Sequence, residues 1–210
     1  MNINDVIVEV PDGWEQPTPE MILSMLERRK RIFRGFCQLE ATQGFLAPPI
    51  ALSSSKGQDS VRILTTRVLE EILESLDSSL PDHVLEELID ALNFLLAIPC
   101  LDDEAPLDLL ASKMSEVVWP YPKVRPGQDY TGAPALEAYL IHLSALLESL
   151  RNRAWQKRSQ SLYFDGWLPL INFVTYVWKA ITEEFDTWDH FCWFYLAKEA
   201  VLQFRLDTNY

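Results

Sequence analysis

The sequence predicts an all-α protein, a bundle of about seven helices. Apolar residues recur at three- and four-residue intervals through most of the chain, which is typical of amphipathic helices. Helix start signals precede these segments, the clearest being Thr18-Pro19-Glu20, with a capping threonine, a proline at the first helical position and an acid in the first turn. Alternation typical of strands is confined to residues 6–10, which could form one edge strand at most.

The predicted elements follow one another with short connections. The first helix runs from the Thr18 signal to about Glu40, and a loop is expected over residues 44–59. Pro81 falls in the first turn of a helix, where its missing N–H costs nothing. Residues 119–134 are rich in proline and glycine and predict a long loop. Apolar residues recur at helical spacing over 61–76 and over 84–98, in the helix that contains Pro81, and the remaining helices are predicted over residues 106–119, 135–157, 167–184 and 187–206. We expect an irregular segment over 1–18 and one all-α domain over 19–210.

Composition narrows the classes of function. Of the 210 residues, 18 are basic and 31 acidic, which gives a net charge of −13. Nucleic-acid binders and proteins that dock on anionic membranes need a concentrated cationic surface, so both classes are disfavoured. A strongly acidic chain favours the binding of cations.

Three features that the sequence lacks predict where the protein is located in the cell. Cys37, Cys100 and Cys192 are far apart and form no metal-binding or disulfide pattern. The amino terminus lacks the features of a secretory signal, and the most apolar stretch, residues 91–101, is too short to span a bilayer. We therefore expect a soluble, cytoplasmic protein with free thiols.

The stretch most informative about function is acidic. Residues 68–112 contain 12 Asp or Glu and no Lys or Arg. Glu71 and Glu74 are three positions apart, as are Glu87 and Asp90, so each pair lies on one face of its helix. A short turn joins the two helices and makes them antiparallel neighbours. The spacing leaves open a second set of inward-facing acids, and it also leaves open that Glu70, Glu74, Glu86 and Asp90 simply face solvent.

A metal site is the hypothesis that best suits clustered acids. Like charges at close range are unfavourable unless a cation neutralises them, and Mg²⁺ prefers oxygen ligands. The helix that carries Glu87 and Asp90 is apolar on nearly all sides, so these acids are expected to be partly buried and to need a counter-charge.

These segments resemble the all-α nucleoside triphosphate pyrophosphatases, which include the MazG-like enzymes, the dimeric dUTPases and phage dCTP/dUTP pyrophosphatases. The matching residues are EEILE at 70–74 and EELIDALNFLL at 86–96. The resemblance implies that Glu71, Glu74, Glu87 and Asp90 hold Mg²⁺, or Mn²⁺. It thereby selects this set of acids over the second set that the spacing leaves open. It also implies catalytic roles for Glu71 and Glu74.

Two further segments resemble phosphate-binding parts of the dimeric dUTPases. Residues 195–205, YLAKEAVLQFR, match their C-terminal helix, which implies phosphate contacts for Lys198 and Arg205. Residues 151–157, RNRAWQK, match a basic segment, which implies the same role for Arg153 and Lys157. The ordinary alternative for Lys198 and Arg205 is that their long side chains extend to solvent from the apolar face of a helix. For Arg153 and Lys157 it is a basic helix end, where positive charge interacts favourably with the helix dipole.

The sequence departs from the dUTPase pattern at Leu202, Leu206 and Asn93. Asn93 and Gln38 are the candidate base contacts. The resemblance implies a cytoplasmic homodimer that hydrolyses dUTP or a related dNTP to the monophosphate and pyrophosphate, and its phage members allow a virus-encoded origin. Two alternatives stay open: specificity for another dNTP, including a purine dNTP, and a catalytically silent helical interaction protein on the same scaffold.

Overall fold

The fold is all-helical. The computed structural model describes residues 3, 6–39, 46, 48–118, 136–150, 166–184 and 188–208, and no strand occurs among them. The predicted all-α class is therefore confirmed, whereas the edge strand allowed at residues 6–10 does not form. The seven helices are α1 (Pro19–Gln38), α2 (Ser55–Asp77), α3 (Pro81–Cys100), α4 (Leu107–Val118), α5 (Leu136–Ser149), α6 (Trp167–Glu184) and α7 (Trp188–Asp207).

The first two helices begin at side-chain caps. The Met21 N–H donates to the Thr18 hydroxyl oxygen at 3.2 Å, with Pro19 at the first helical position as predicted. The Gly57 N–H donates in the same way to Ser54 Oγ at 3.0 Å. Such caps satisfy backbone donors that have no partner within the helix. The loop predicted over residues 44–59 is therefore too long, because α2 already begins at Ser55.

Close packing explains the glycine in the first turn of α2. A Cβ atom on Gly57 would collide with the carbonyl oxygen of Ala51. The glycine thus permits a close approach between the helix and the preceding chain, and it does not mark a loop.

Helix α3 lies at the centre of the bundle. It packs against α1, α2 and α6, and most of its side chains are buried. A three-residue connection, Ser78 to Leu80, makes α2 and α3 an antiparallel pair. Two guanidinium groups of α1 set its register beside α3: Arg29 Nε donates to the Asn93 carbonyl and Arg34 Nε to the Cys100 carbonyl, both at 2.9 Å. These contacts show that α1 and α3 run parallel.

One connected hydrophobic cluster includes residues of all seven helices. Its largest fully buried side chains include Trp178, Tyr139, Tyr195, Phe173 and Phe191. Most of the described aromatic residues of α6 and α7 thus lie in the core or pack against it. Burial of such large side chains is the main source of stability in a bundle of this size.

Residues 6–18, before α1, form neither helix nor strand, and they contact the bundle. Trp14 is buried, and its carbonyl accepts a 2.6 Å hydrogen bond from Trp188 Nε1 of α7. Gly13 has a φ of 87°, a conformation that glycine adopts without strain. The N-terminal segment therefore lies against α7.

The later boundaries differ partly from those predicted. Helix α5 ends at Ser149, before the predicted limit of Lys157, and Leu150 is not helical. The proline- and glycine-rich stretch 119–134 lies outside the described residues. Among the described helices, none combines the length and the apolar character that crossing a bilayer requires.

Candidate metal centre

The α2–α3 pair brings three of the four predicted metal ligands together. Glu71 and Glu74 lie in the last two turns of α2, and Glu87 lies in the second turn of α3. One carboxylate oxygen from each of these three residues lies within 4.8 Å of the others. Glu87 is buried, Glu71 is half-buried and Glu74 is exposed, so the cluster has a closed end and an end open to solvent.

The surroundings of Glu71 increase its proton affinity. Burial raises the pKa of Glu71 to about 8, and a hydrogen bond with Glu87 and the charges of Asp90, Glu87 and Glu74 add to the shift. Without a bound cation, Glu71 therefore keeps its proton near neutral pH. A divalent cation would replace that proton and remove the repulsion.

Asp90, the fourth predicted ligand, has a different partner. Lys198 Nζ of α7 lies 2.8 Å from Asp90 Oδ2 and 2.7 Å from Glu86 Oε1. Burial raises the pKa of Asp90, while the nearby Lys198 and Arg29 act against this rise. Burial alone would lower the pKa of Lys198, but its two carboxylate partners outweigh that effect and raise it. The ion pair thus places a fixed positive charge beside the three-carboxylate cluster.

The absence of basic residues around these acids applies along the chain only, since residues 68–112 contain no Lys or Arg. In three dimensions, α7 brings Lys198 to Asp90 and Glu86, and α1 brings Arg29 close enough to influence the pKa of Asp90. The cluster therefore has a partial counter-charge within the chain.

The geometry also distinguishes the two possible registers of inward-facing acids. Glu70 pairs with Arg67 on the exposed side of α2, at 2.6 Å, and Glu86 pairs with Lys198. Neither joins the three-carboxylate cluster. The set that includes Glu71 and Glu87 is the one that converges.

Sequence reasoning missed one residue at this site. His83 Nδ1 lies 2.8 Å from Glu87 Oε1, one turn earlier on α3. The four-residue spacing between a histidine and an acid on one helix face could have indicated this contact. His83 is half exposed, so it lies at the solvent side of Glu87.

The predicted phosphate contacts are only partly brought to the site. Lys198 lies beside the acids, buried in its ion pair. Arg205 is exposed in the last turn of α7, about 10 Å further along the helix axis. Arg153 and Lys157 lie outside the described residues.

The two candidate base contacts lie in different places. Asn93 is one turn beyond Asp90 on α3 and is 1% exposed, and neither atom of its amide has a hydrogen-bond partner among the described residues. Gln38 is exposed at the end of α1, and the parallel register places it beyond the C-terminal end of α3. The structure brings Asn93 to the acids and keeps Gln38 away from them.

No protein-family model, curated protein or solved structure matches the chain. The resemblance to the all-α pyrophosphatases thus stays a prediction from the sequence.

The donor set fits a hard divalent cation. Three carboxylates offer oxygen ligands, one of them opens to solvent, and the Lys198 ammonium is held by Asp90 and Glu86. Mg²⁺ and Mn²⁺ prefer oxygen donors and retain water at their remaining positions. The residues that would hold the cation are Glu71, Glu74 and Glu87.

Proposed function

We propose that the protein is a Mg²⁺-dependent nucleoside triphosphate pyrophosphatase, which hydrolyses dUTP or a related dNTP to the monophosphate and pyrophosphate. The observation that carries this proposal is the convergence of Glu71, Glu74 and Glu87 on one point between two antiparallel helices. The resemblance described above supplies the reaction class, and the carboxylate geometry makes that class chemically reasonable.

In this proposal, bound Mg²⁺ would offset the charge of the triphosphate and make a water molecule more acidic. In the net reaction, a water oxygen would become bonded to the α-phosphorus while the bond from the α-phosphorus to the α–β bridging oxygen is broken and pyrophosphate leaves. Glu71 is the residue we assign to take the proton, in keeping with the catalytic role that the resemblance implies for it. Glu74, at the solvent side, is the ligand closest to an entering substrate.

The remaining roles follow from charge and position. Lys198 lies beside the carboxylates and bears a positive charge that would attract the substrate phosphates. Arg205, Arg153 and Lys157 keep their proposed phosphate contacts, and Asn93 keeps its proposed base contact. Gln38 is not part of the proposed base pocket, given its place at the end of α1. We further propose that the active form is a cytoplasmic homodimer.

A substrate panel tests the proposal directly. The four ordinary dNTPs and dUTP are incubated with the protein in Mg²⁺ and, separately, in EDTA, and pyrophosphate and the monophosphate are measured. We expect release of both products in equal amounts from at least one nucleotide, in Mg²⁺ alone. Equal background rates with and without protein for every nucleotide would reject the proposed activity.

A second candidate function is a helical interaction protein without catalysis. The observation that favours it is the Lys198 ion pair, because an internal cation at Asp90 and Glu86 supplies part of the charge balance that a metal would otherwise provide. Under this hypothesis the chain is stable without metal, and divalent cations do not bind saturably. Calorimetric titration with Mg²⁺ and Mn²⁺ separates the two candidates.

A further inference from the structure

The Lys198 ammonium lies beside the three-carboxylate cluster, at a place where a second cation could otherwise bind. Glu86 and Asp90 are four positions apart on α3, so their side chains lie on one face of the helix, one turn apart. Lys198 Nζ lies 2.7 Å from Glu86 Oε1 and 2.8 Å from Asp90 Oδ2. Glu87 of the cluster is three positions before Asp90 on the same helix, so the ion pair and the cluster are neighbours. The α3 acids thus form two adjacent groups, one of which already holds a cation.

Burial keeps the ammonium at this position. The Lys198 side chain is 5% exposed, so water cannot take the place of its carboxylate partners unless α7 moves. Residues 194–199 of α7 are all buried, which means that the helix is enclosed on every side at this level and is not free to move. A metal ion that displaced the ammonium would leave a buried charge without a partner, which is strongly unfavourable.

The two cation positions differ in what they can do. A lysine ammonium is a compact charge that only donates hydrogen bonds, so it neutralises acids but has no position for a water ligand. The cluster of Glu71, Glu74 and Glu87 has an end open to solvent at Glu74, so an ion bound there can exchange and can keep water ligands. Two-metal hydrolytic centres hold two such ions about 3.5–4 Å apart. In the described part of this chain, the second position is filled by the protein itself.

We propose that the centre holds one exchangeable divalent cation per chain, and that the Lys198 ammonium is fixed in the position that a second cation would take. This inference rests on the metal site of the proposed function, and it adds the number of ions and assigns Asp90 to the ammonium rather than to the metal. It does not require pyrophosphatase activity, because the number of bound ions is measured without nucleotide.

Titration of the full chain with Mn²⁺ alone counts the ions. Electron paramagnetic resonance measures free Mn²⁺, and calorimetry gives the stoichiometry independently, both at about 0.15 M salt to screen non-specific binding to the acidic surface. The wild type should bind one Mn²⁺ per chain in a saturable way. Asp90→Asn should also bind one, whereas Glu74→Gln should weaken binding by about tenfold or more, since even residues that only support metal ligands commonly contribute that much.

Removal of the ammonium should create the second site. Lys198→Met keeps an unbranched side chain in the core but leaves Glu86 and Asp90 without a cation, so we expect this variant to bind two Mn²⁺ per chain. Adding Asp90→Asn to Lys198→Met should return the number to one. Arg205→Met, which removes an exposed cation of the same helix, is the matched control and should bind one Mn²⁺. Circular dichroism in the presence of Mn²⁺ confirms that each variant is folded.

Two bound Mn²⁺ in the wild type, or only one in folded Lys198→Met, would overturn the proposal. Loss of the ion in folded Asp90→Asn would do the same, because Asp90 would then be a metal ligand. A wild type without saturable Mn²⁺ binding would reject the metal site and this inference together. One bound Mn²⁺ with no pyrophosphate release from any nucleotide would reject the proposed activity and support the inference. If Lys198→Met does not fold, the wild type and Asp90→Asn decide by themselves.

Discussion

At the scale of single residues, the acids of the α2–α3 pair differ in what they contact. Glu71, Glu74 and Glu87 converge, Glu86 and Asp90 share Lys198, and Glu70 pairs with Arg67 on the exposed side. Residues that look equivalent in the sequence therefore have different electrostatic surroundings. This difference supplies matched pairs of variants for testing the site.

Glu74→Gln should reduce pyrophosphate release by about 10²–10³-fold, because the amide keeps the shape of the side chain but removes a negative charge from the cluster. Steady-state pyrophosphate detection with the preferred nucleotide measures this loss. Glu70→Gln is the control and should retain wild-type turnover, since Glu70 lies outside the cluster. Equal losses of activity in both variants would show that the wrong set of acids has been assigned to the site. Glu86→Gln is unsuitable as a control, because it removes a partner of Lys198.

Glu71→Gln should increase the stability of the metal-free protein in a pH-dependent way. The pKa of Glu71 rises from 4.5 to about 8 in the folded protein. Between these pH values the folded state binds a proton more tightly than the unfolded chain, so wild-type stability falls as the pH rises through this window. The Glu71→Gln variant has no titrating carboxyl group at this position, so its stability does not fall with pH for this reason.

Thermal unfolding in EDTA measures the effect of Glu71→Gln. The Tm of the variant minus that of the wild type should be larger at about pH 8 than at about pH 5. Glu70→Gln should show no comparable change with pH. A Tm difference for Glu71→Gln that is constant across this range would show that Glu71 does not titrate as the structure implies.

At the scale of the helices, the sequence predicted which segments are helical better than it predicted which residues of different helices make contact. Helical spacing predicted an antiparallel pair with acids on one face of each helix, and the resemblance selected the set that contains Glu71, Glu74 and Glu87. The contact of Lys198 with Glu86 joins residues 112 positions apart, and no local pattern encodes it. The start of α2 was missed because Ser54 and Gly57 are also typical of loops, whereas here they cap the helix and allow close packing.

Packing of α2 against α3 should depend on one face of α2. Ile72 is fully buried, whereas the next residue, Leu73, is 45% exposed. Ile72→Ala should lower the free energy of unfolding by about 2–5 kcal/mol, because it removes buried contacts and leaves a cavity. Leu73→Ala should cost less than about 1 kcal/mol. Urea denaturation followed by circular dichroism compares the two, and equal losses would contradict the helical register of α2.

At the scale of the whole molecule, charge and exposed apolar surface govern behaviour in solution. The net charge of −13 includes a cluster of carboxylates that a divalent cation would neutralise. Ile141 of α5 and Leu168 of α6 are 68% and 66% exposed, on two helices that pack together. The carboxylate cluster predicts that divalent cations stabilise the protein, and the exposed apolar side chains predict that two copies of the chain associate.

Mg²⁺ or Mn²⁺ should raise the Tm, because it binds the folded cluster and not the unfolded chain. At about 100 times the dissociation constant, the stabilisation is about 2.7 kcal/mol, which corresponds to an increase of about 5–10 °C for a chain of this size. Differential scanning calorimetry at matched ionic strength measures it. Glu74→Gln should show a smaller increase, and an unchanged wild-type Tm would reject the metal site.

The chain should be a dimer at micromolar concentration. Exposed Ile141 and Leu168 offer apolar surface that a second copy could cover. Light scattering coupled to size-exclusion chromatography should give twice the chain mass of 24.2 kDa. Replacing both residues by Ser should shift the equilibrium toward the monomer, and a wild-type mass of 24.2 kDa would contradict the prediction.

Lys198 and Glu199 are consecutive residues of α7, yet Lys198 pairs with acids of α3 and Glu199 lies 3.9 Å from Arg29 of α1. A helix is stiff over so short a distance, so neither side chain can be displaced along the axis without the other. A ligand that displaces Lys198 from Asp90 by moving α7 would therefore also change the contact between α7 and α1.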